Sequence, residues 1–335
     1  MNTASGTAVS RLGLGNYLGH LDDDTDSRLL VVTRELLALG VNHFDTAPNY
    51  RAQRSETVLG RALQDSQRAR SELFIATKVG FLPFDSHVPQ NPAAWIRERF
   101  VDTKIIGPSD ILSGTQCFAP DWIRYQLGQS LGRLGTDHVD VLYLHNVEVA
   151  FAGMDASARE SLVRRAFAEL AFLHTQGRIR AFGLASWGGF IEEGGSALSL
   201  EQLIGWAERE GCRSLFKYVQ APFNVSMPGA LLRATQTLGN RRMSLARALA
   251  TAGMELVSSA PLLHGRLAEI DIPDAWASTF PGFTAAQVCL AMACSAPSIA
   301  STVVGVKSAD HLAQMRAVLA SPSLSTDVFL RLVRS

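Results

Sequence analysis

Short apolar runs of strand length recur eight times along the chain, and a segment of helical period follows most of them. The runs are Arg11–Tyr17, Val41–Ala47, Leu73–Val79, Val139–Leu144, Ile179–Ser186, Tyr218–Pro222, Glu255–Ala260 and Thr302–Val306. Between them lie amphipathic stretches over Arg28–Leu39, Glu56–Gln64, Trp122–Leu134, Ser161–Gln176, Leu200–Arg209, Ser244–Ala252 and His311–Leu319. A helix between two strands carries the chain back to the same edge of a sheet, so the strands pair in parallel. Eight such repeats predict a closed (β/α)8 TIM barrel with its helices outside, in preference to an open doubly wound sheet. A Rossmann reading lacks its fingerprint: Leu12-Gly13-Leu14-Gly15 begins a Gly-x-Gly-x-x-Gly, and Tyr17 to Gly19 do not complete it. No composition break divides the chain, so residues 1–335 read as one domain.

The charge balance narrows the partners. With 31 Lys and Arg against 31 Asp and Glu, the formal net charge is zero, which argues against binding nucleic acid by phosphate neutralisation. The Arg pairs Arg164-Arg165 and Arg241-Arg242 are isolated and read as solvated surface. Four cysteines form no Cys-x-x-Cys, and residues 1–10 lack the basic and apolar regions of a secretory signal, so the expected compartment is the cytoplasm. Ala275 to Val306 carries no charged residue, but Pro281, Pro297 and Gln287 interrupt it. It reads as a buried helix over Thr284–Ala296 followed by a buried strand, and no membrane span is expected.

Two connections are long, and both follow strands, on the barrel face where active sites lie. Asn146 to Ala158 is the shorter. Gly80 to Pro120, after the third strand, far exceeds the roughly 2 to 6 residues such a link needs. Its aromatic content predicts a lid over the barrel mouth, with a helix over Pro92–Phe100, Asn91 as its cap and Trp95 turned inward.

Strand bodies fill a barrel's core, so polar residues at the strand ends carry the chemistry. Asp45 ends the second run, with Tyr50 in the loop beyond it; Lys78 ends the third and His145 the fourth. Singly, each has a plain structural reading: a helix cap, a surface lysine, a satisfied core histidine. Jointly, three ionisable groups at the ends of three strands converge on one spot with a tyrosine between them. An ammonium beside a tyrosine lowers a pKa that is otherwise near 10. That predicts Tyr50 as a general acid, Lys78 as its tuner held by Asp45, and His145 as a donor orienting a carbonyl.

These residues sit in blocks that resemble one family. Gly40-Val-Asn-His-Phe-Asp45-Thr-Ala-Pro-Asn-Tyr50, Ser55-Glu56-Thr-Val-Leu-Gly60, Ala76-Thr-Lys78-Val-Gly80 and Asp140-Val-Leu-Tyr-Leu-His145 come first. Gln176-Gly-Arg-Ile-Arg-Ala-Phe-Gly-Leu-Ala-Ser186, Val219-Gln220, Pro261-Leu-Leu-His-Gly265-Arg-Leu and Val304-Gly-Val-Lys307-Ser308 follow in order. The series resembles the aldo-keto reductases, (β/α)8 oxidoreductases that use NADPH or NADH, and it spans about Arg11 to Leu319. The resemblance implies Asp45, Tyr50, Lys78 and His145 as a catalytic tetrad. It implies Ser186 and Gln220 near the nicotinamide carboxamide, and the segment with Pro261, Leu262, His264, Gly265 and Arg266 as a backbone cradle for pyrophosphate. Lys307 and Ser308 would take an adenosine 2′-phosphate, favouring NADPH with NADH possible, with His311 and Gln314 beside them.

Four positions depart from the family pattern. The Ser-Asn pair after the fifth strand is Ala185-Ser186, the aromatic that stacks on the nicotinamide is Ser259, the Glu-Asn adenine clamp is Gln314-Met315, and His311 replaces an Arg. All four fall in the cofactor half.

The substrate expected is a small carbonyl compound or alcohol. Its pocket is assigned to Tyr17, Phe81, Trp95, Phe118, Asn146, Trp187 and Phe223. Two other functions fit parts of the pattern. A metal-dependent hydrolase would use His43, Asp45 and His145, but the later strand ends offer Ser186, Gln220, Ser258 and Lys307 in place of further ligands. A cofactor-sensing regulatory subunit without turnover would account for the departures, and the intact tetrad argues against it.

Overall fold

The computed structural model describes residues 1–3, 5–195 and 197–334. Eight parallel strands close a barrel: β1 (Leu12–Gly15), β2 (His43–Asp45), β3 (Phe74–Val79), β4 (Val139–His145), β5 (Ile179–Ala185) and β6 (Phe216–Pro222) come first. After an antiparallel hairpin, β7 (Gln236–Leu238) with β8 (Arg241–Met243), the barrel resumes with β9 (Glu255–Ser259) and β10 (Ile299–Val304). β10 pairs with β1, which closes the ring. Every amphipathic segment read from the sequence forms a helix at that place.

The barrel interior is filled by Phe74, Ala76, Val141, Tyr143, Ala181, Ala185, Tyr218, Val257 and Val303. Met1 and Val9 pack beneath this set, where the N-terminal turn closes the end opposite the mouth. Outside the barrel, helices Arg54–Gln64 and Pro120–Leu134 approach so closely that a Cβ on Gly60 would lie 2.0 Å from the Arg133 carbonyl oxygen. Only glycine fits there.

The long connection after β3 is not a lid over the mouth. Its second residue, Phe81, lines the mouth and the rest of it does not; a Cβ on Gly80, at φ +131°, would strike the Phe118 ring at 2.4 Å. Leu82, Ile96, Phe100, Ile106, Cys117 and Trp122 then build a second small core beside the barrel. Trp95, expected to face inward, stands edge-on to Phe84 and Phe100, with ring centroids 5.6 and 5.4 Å away. The helix predicted in this segment is present over Pro92–Ile96, its Asn91 side chain accepting from the Ala94 N–H, and it continues as a wider turn over Arg97–Val101. Beyond Phe81 the connection buries its apolar surface in this separate core and not in the mouth. Sequence reasoning also missed the β7–β8 hairpin and the closing helix Thr326–Arg334. No helix among the described residues is long and apolar enough to cross a membrane.

Candidate active site

A cavity of about 630 Å³ opens at the C-terminal ends of the strands. Asp45, Lys78 and His145 end three consecutive strands, and β3 and β4 are registered so that Lys78 lies beside Tyr143. Lys78 is 1% exposed and Asp45 3%. The Lys78 ammonium donates to Asp45 Oδ1 at 2.5 Å and to the Thr46 carbonyl at 3.0 Å, and it lies 4.7 Å from the centroid of the Tyr50 ring. The His145 ring is edge-on to both Tyr50 and Phe81.

The backbone beyond Tyr50 explains how the phenol is held over Lys78. Arg51, Ala52 and Gln53 take φ values of 50°, 49° and 73°, three consecutive non-glycine residues in the left-handed region. Each such residue costs about 1–2 kcal/mol, so something must hold the turn. The buried Arg51 guanidinium does so: it donates to the His20 carbonyl at 2.9 and 2.7 Å and to Asp26 at 2.5 Å. A second brace lies behind β3. Glu56, fully buried, accepts from Thr77 Oγ1 at 2.6 Å and from Arg133 Nε at 2.8 Å, fixing the residue that precedes Lys78. Arg51 and Arg133 were not singled out in the sequence, and Glu56 appeared there only as the start of an amphipathic stretch and within the block that carries the resemblance, with no role assigned to it.

The electrostatics follow from burial and one cation. Burial pushes the Tyr50 phenol above its usual 10, and Lys78 pulls it only part of the way back, so the net shift opposes the one expected from the sequence. Burial also works against the Lys78 charge, yet Asp45 and Tyr50 outweigh it and hold the ammonium above its ordinary value. Burial, reinforced by Lys78, keeps the His145 imidazole well below the usual histidine range. At neutral pH the site therefore holds a protonated phenol, a charged ammonium and a neutral imidazole with one N–H to donate.

Asp45 is not available to a metal: Lys78 holds one oxygen and Gln220 Nε2 the other, at 2.8 Å. His43, its neighbour on β2, bonds Ser301 through Nδ1 at 2.8 Å. Among the described residues no three His, Cys, Asp or Glu side chains gather to hold an ion.

The remaining residues named in the sequence divide into those at the cavity and those away from it. Gln220, Ser186, Pro261, Leu262, His264, Gly265, Lys307, His311 and Gln314 line it; Arg266 and Ser308 do not. Ser186 is turned aside, donating to Glu148 Oε1 at 2.6 Å and accepting from the Gly189 N–H at 2.9 Å. Ala260, Leu263, His264 and Gly265 all have positive φ, and the turn they form is closed by its own backbone, the Leu263 N–H donating to the Ala260 carbonyl at 3.0 Å and the Gly265 N–H to the Leu262 carbonyl at 2.8 Å. Ser308 instead caps the helix Ala309–Ala320, accepting from the His311 N–H at 3.2 Å.

Of the expected substrate pocket, Tyr17, Phe81, Asn146 and Trp187 reach the cavity, and Trp95, Phe118 and Phe223 do not. Phe118 is buried under Gly80, and Phe223 packs on Phe329 of the last helix. Leu18 and Asn49, unremarked in the sequence, complete the rim. Tyr50, Tyr17, His264 and Trp187 form a chain of ring contacts with successive centroids 5.0, 5.7 and 5.6 Å apart.

Comparison with known proteins gives the arrangement a lineage. Over 185 residues the chain is 28% identical to L-galactose dehydrogenase of Arabidopsis thaliana, covering 54% of this chain and 46% of that one. Over 188 residues it is 29% identical to D-threo-aldose 1-dehydrogenase of Pseudomonas sp, covering 55% and 52%. The matched stretch thus spans about half the length of these relatives. In structure, an aldo/keto reductase of Klebsiella pneumoniae, solved with NADP and acetate, superposes with a TM-score of 0.67 at 18% identity, covering 99% of this chain and 93% of that one. The model of the Aldo/keto reductase family matches residues 11–193, more than half of the chain and the part that carries Asp45, Tyr50, Lys78 and His145; the chain belongs to that family.

Proposed function

We propose that the protein moves a hydride between a nicotinamide dinucleotide, NADPH in preference to NADH, and an uncharged hydroxylated carbonyl compound or its alcohol. The observation that carries this reading is the buried Asp45–Lys78 pair with the protonated Tyr50 directly over it, at the rim of a cavity large enough for a dinucleotide. The residues present fit such a cofactor. The turn with Pro261, Leu262, His264 and Gly265 lines the cavity where a pyrophosphate would pass, and Lys307 brings a cation to the same cavity for a 2′-phosphate.

When bound, the dinucleotide supplies or accepts the hydride. Tyr50 donates its proton to the carbonyl oxygen during reduction and recovers one in the reverse direction, with Lys78 stabilising the phenolate form. Neutral His145 donates its N–H to the same oxygen and so orients the carbonyl. Asp45 keeps the ammonium in place. Around this point Tyr17 and Trp187 offer aromatic faces and Asn49 and Asn146 offer amides; among the described residues the Lys78 ammonium beneath Tyr50 is already paired with Asp45, and Lys307 is the one lysine that lines the cavity. Faces and amides together suit a ring of hydroxyl groups, and the two dehydrogenases compared above take their names from sugars.

Exposed Trp187 lies in the cavity wall, so titration with NADPH should quench intrinsic tryptophan fluorescence, with NADH binding more weakly. Turnover should follow on neutral aldoses or hydroxyketones without added metal. No binding up to millimolar cofactor, or turnover that requires zinc, would overturn the proposal.

A further inference from the structure

Asp45 and Gln220 come from opposite sides of the barrel. In the ring of strands, β2 and β6 are separated by β3, β4 and β5 on one side and by β1, β10 and β9 on the other. Yet Gln220 Nε2 reaches Asp45 Oδ2 at 2.8 Å, and both residues are buried. The identity of the amide atom is settled by chemistry: an ionised carboxylate only accepts, so the nitrogen must face it and the oxygen Oε1 must face elsewhere. Both carboxylate oxygens of Asp45 are therefore engaged, one by the Lys78 ammonium and one by the amide.

We infer that Gln220 is a positioning residue for proton transfer: it shares the Asp45 carboxylate with Lys78 and so sets how far Lys78 stabilises the Tyr50 phenolate. The inference rests on the function proposed above. A carboxylate with two donors draws less on each. Without the amide, Oδ2 would be buried with no partner, and Asp45 would draw the ammonium more tightly to itself. Lys78 would then stabilise the Tyr50 phenolate less.

The groups that face this unit from the surrounding elements are few. They are His43 beside Asp45, Lys78 from β3, Tyr143 and His145 from β4, and Tyr17 against Tyr50. Only Lys78 carries a charge at neutral pH besides Asp45 itself, so a change at Gln220 is transmitted to Tyr50 through Lys78.

The test begins with the cofactor-free protein. The chain has five tyrosines, and Tyr50→Phe assigns the Tyr50 signal among them by ¹³Cζ NMR across a pH titration. Gln220→Met, of similar length and without a donor, should raise the Tyr50 midpoint by about one pH unit, and the limb of the kcat profile that reports Tyr50 should move the same way. NADPH binding, read by fluorescence, should weaken several-fold. Gln220→Glu gives a second reading that does not depend on the first variant folding. Its carboxyl donates to Asp45 only while protonated, so it should behave as wild type at low pH and depart from it as pH rises. Weakened NADPH binding with an unmoved Tyr50 midpoint would reduce Gln220 to a cofactor contact and overturn the inference, as would a midpoint shifted down. Unimpaired turnover in Tyr50→Phe would instead refute the proposed function, and the NMR titration separates the two failures.

Discussion

The two arcs of the barrel mouth are built differently. Along β2, β3 and β4 Asp45, Lys78 and His145 come from the strand ends, with Tyr50 on a braced turn just beyond β2: Asp45 and Lys78 are almost fully buried, and their charges are matched within the protein. From β5 round to β10 the corresponding positions lie mostly on loops and helix starts. Lys307, His264 and His311 are exposed, and Ser186 and Ser308 are occupied with neighbouring backbone and side chains. Proton transfer depends on groups fixed to a fraction of an ångström, which rigid strand ends provide. An extended dinucleotide is held by many contacts, several of them to backbone, so single side chains on the second arc can change. The four departures from the family pattern all fall there.

If the first arc owes its geometry to matched buried charges, breaking one should be costly. Lys78→Met leaves the Asp45 carboxylate without its cation and should cost about 3–5 kcal/mol in urea unfolding, partly restored by Asp45→Asn in the same chain. A smaller effect separates the mouth from the loop core beside it. Trp95→Ala should cost about 2–3 kcal/mol through lost packing while relative kcat/KM across a substrate panel stays unchanged. A changed panel would return that loop to the mouth.

The floor of the first arc also predicts a pH effect. Burial pushes the His43 imidazole down to about 4 from its usual 6.5. Ser301 Oγ donates to the Ser10 carbonyl and so must accept from His43 Nδ1–H, leaving Nε2 unpartnered inside the barrel. Below pH 6.5 the unfolded chain takes up a proton that the folded one refuses until about pH 4. Stability should therefore be undiminished above pH 6.5 and fall across that window, by at most about 1.4 kcal/mol per pH unit from this group. A Tm against pH that is flat there, or no flatter in His43→Asn, would contradict the assignment. The second arc should respond more selectively: Lys307→Glu should weaken NADPH by roughly tenfold to a hundredfold and NADH hardly at all.

The same division governed what could be read in advance. The eight strands, the seven amphipathic helices and the convergence of Asp45, Tyr50, Lys78 and His145 were legible because local pattern and tertiary packing agree: β-branched runs suit a barrel wall, and ionisable residues at the ends of such runs meet at its mouth. The net direction of the Tyr50 shift was not legible, because it depends on how deeply the phenol is buried, which one sequence does not state. Trp95, Phe118 and Phe223 were misplaced for a related reason. An aromatic residue after a strand suits a pocket or a core equally well, and the apolar partners that draw these rings away, Phe84, Phe100 and Phe329, lie in other segments. The link from Gln220 to Asp45 joins residues far apart in sequence and had no local signal at all.

The central claim is that the first arc performs the proton transfer independently of how tightly the second arc holds the cofactor. It is tested most directly by measuring kcat and the NADPH dissociation constant on one preparation of Tyr50→Phe. A fall in kcat of roughly 10² or more with the dissociation constant unchanged is the predicted result. Near-normal kcat, or a loss that follows weakened NADPH binding, would contradict it.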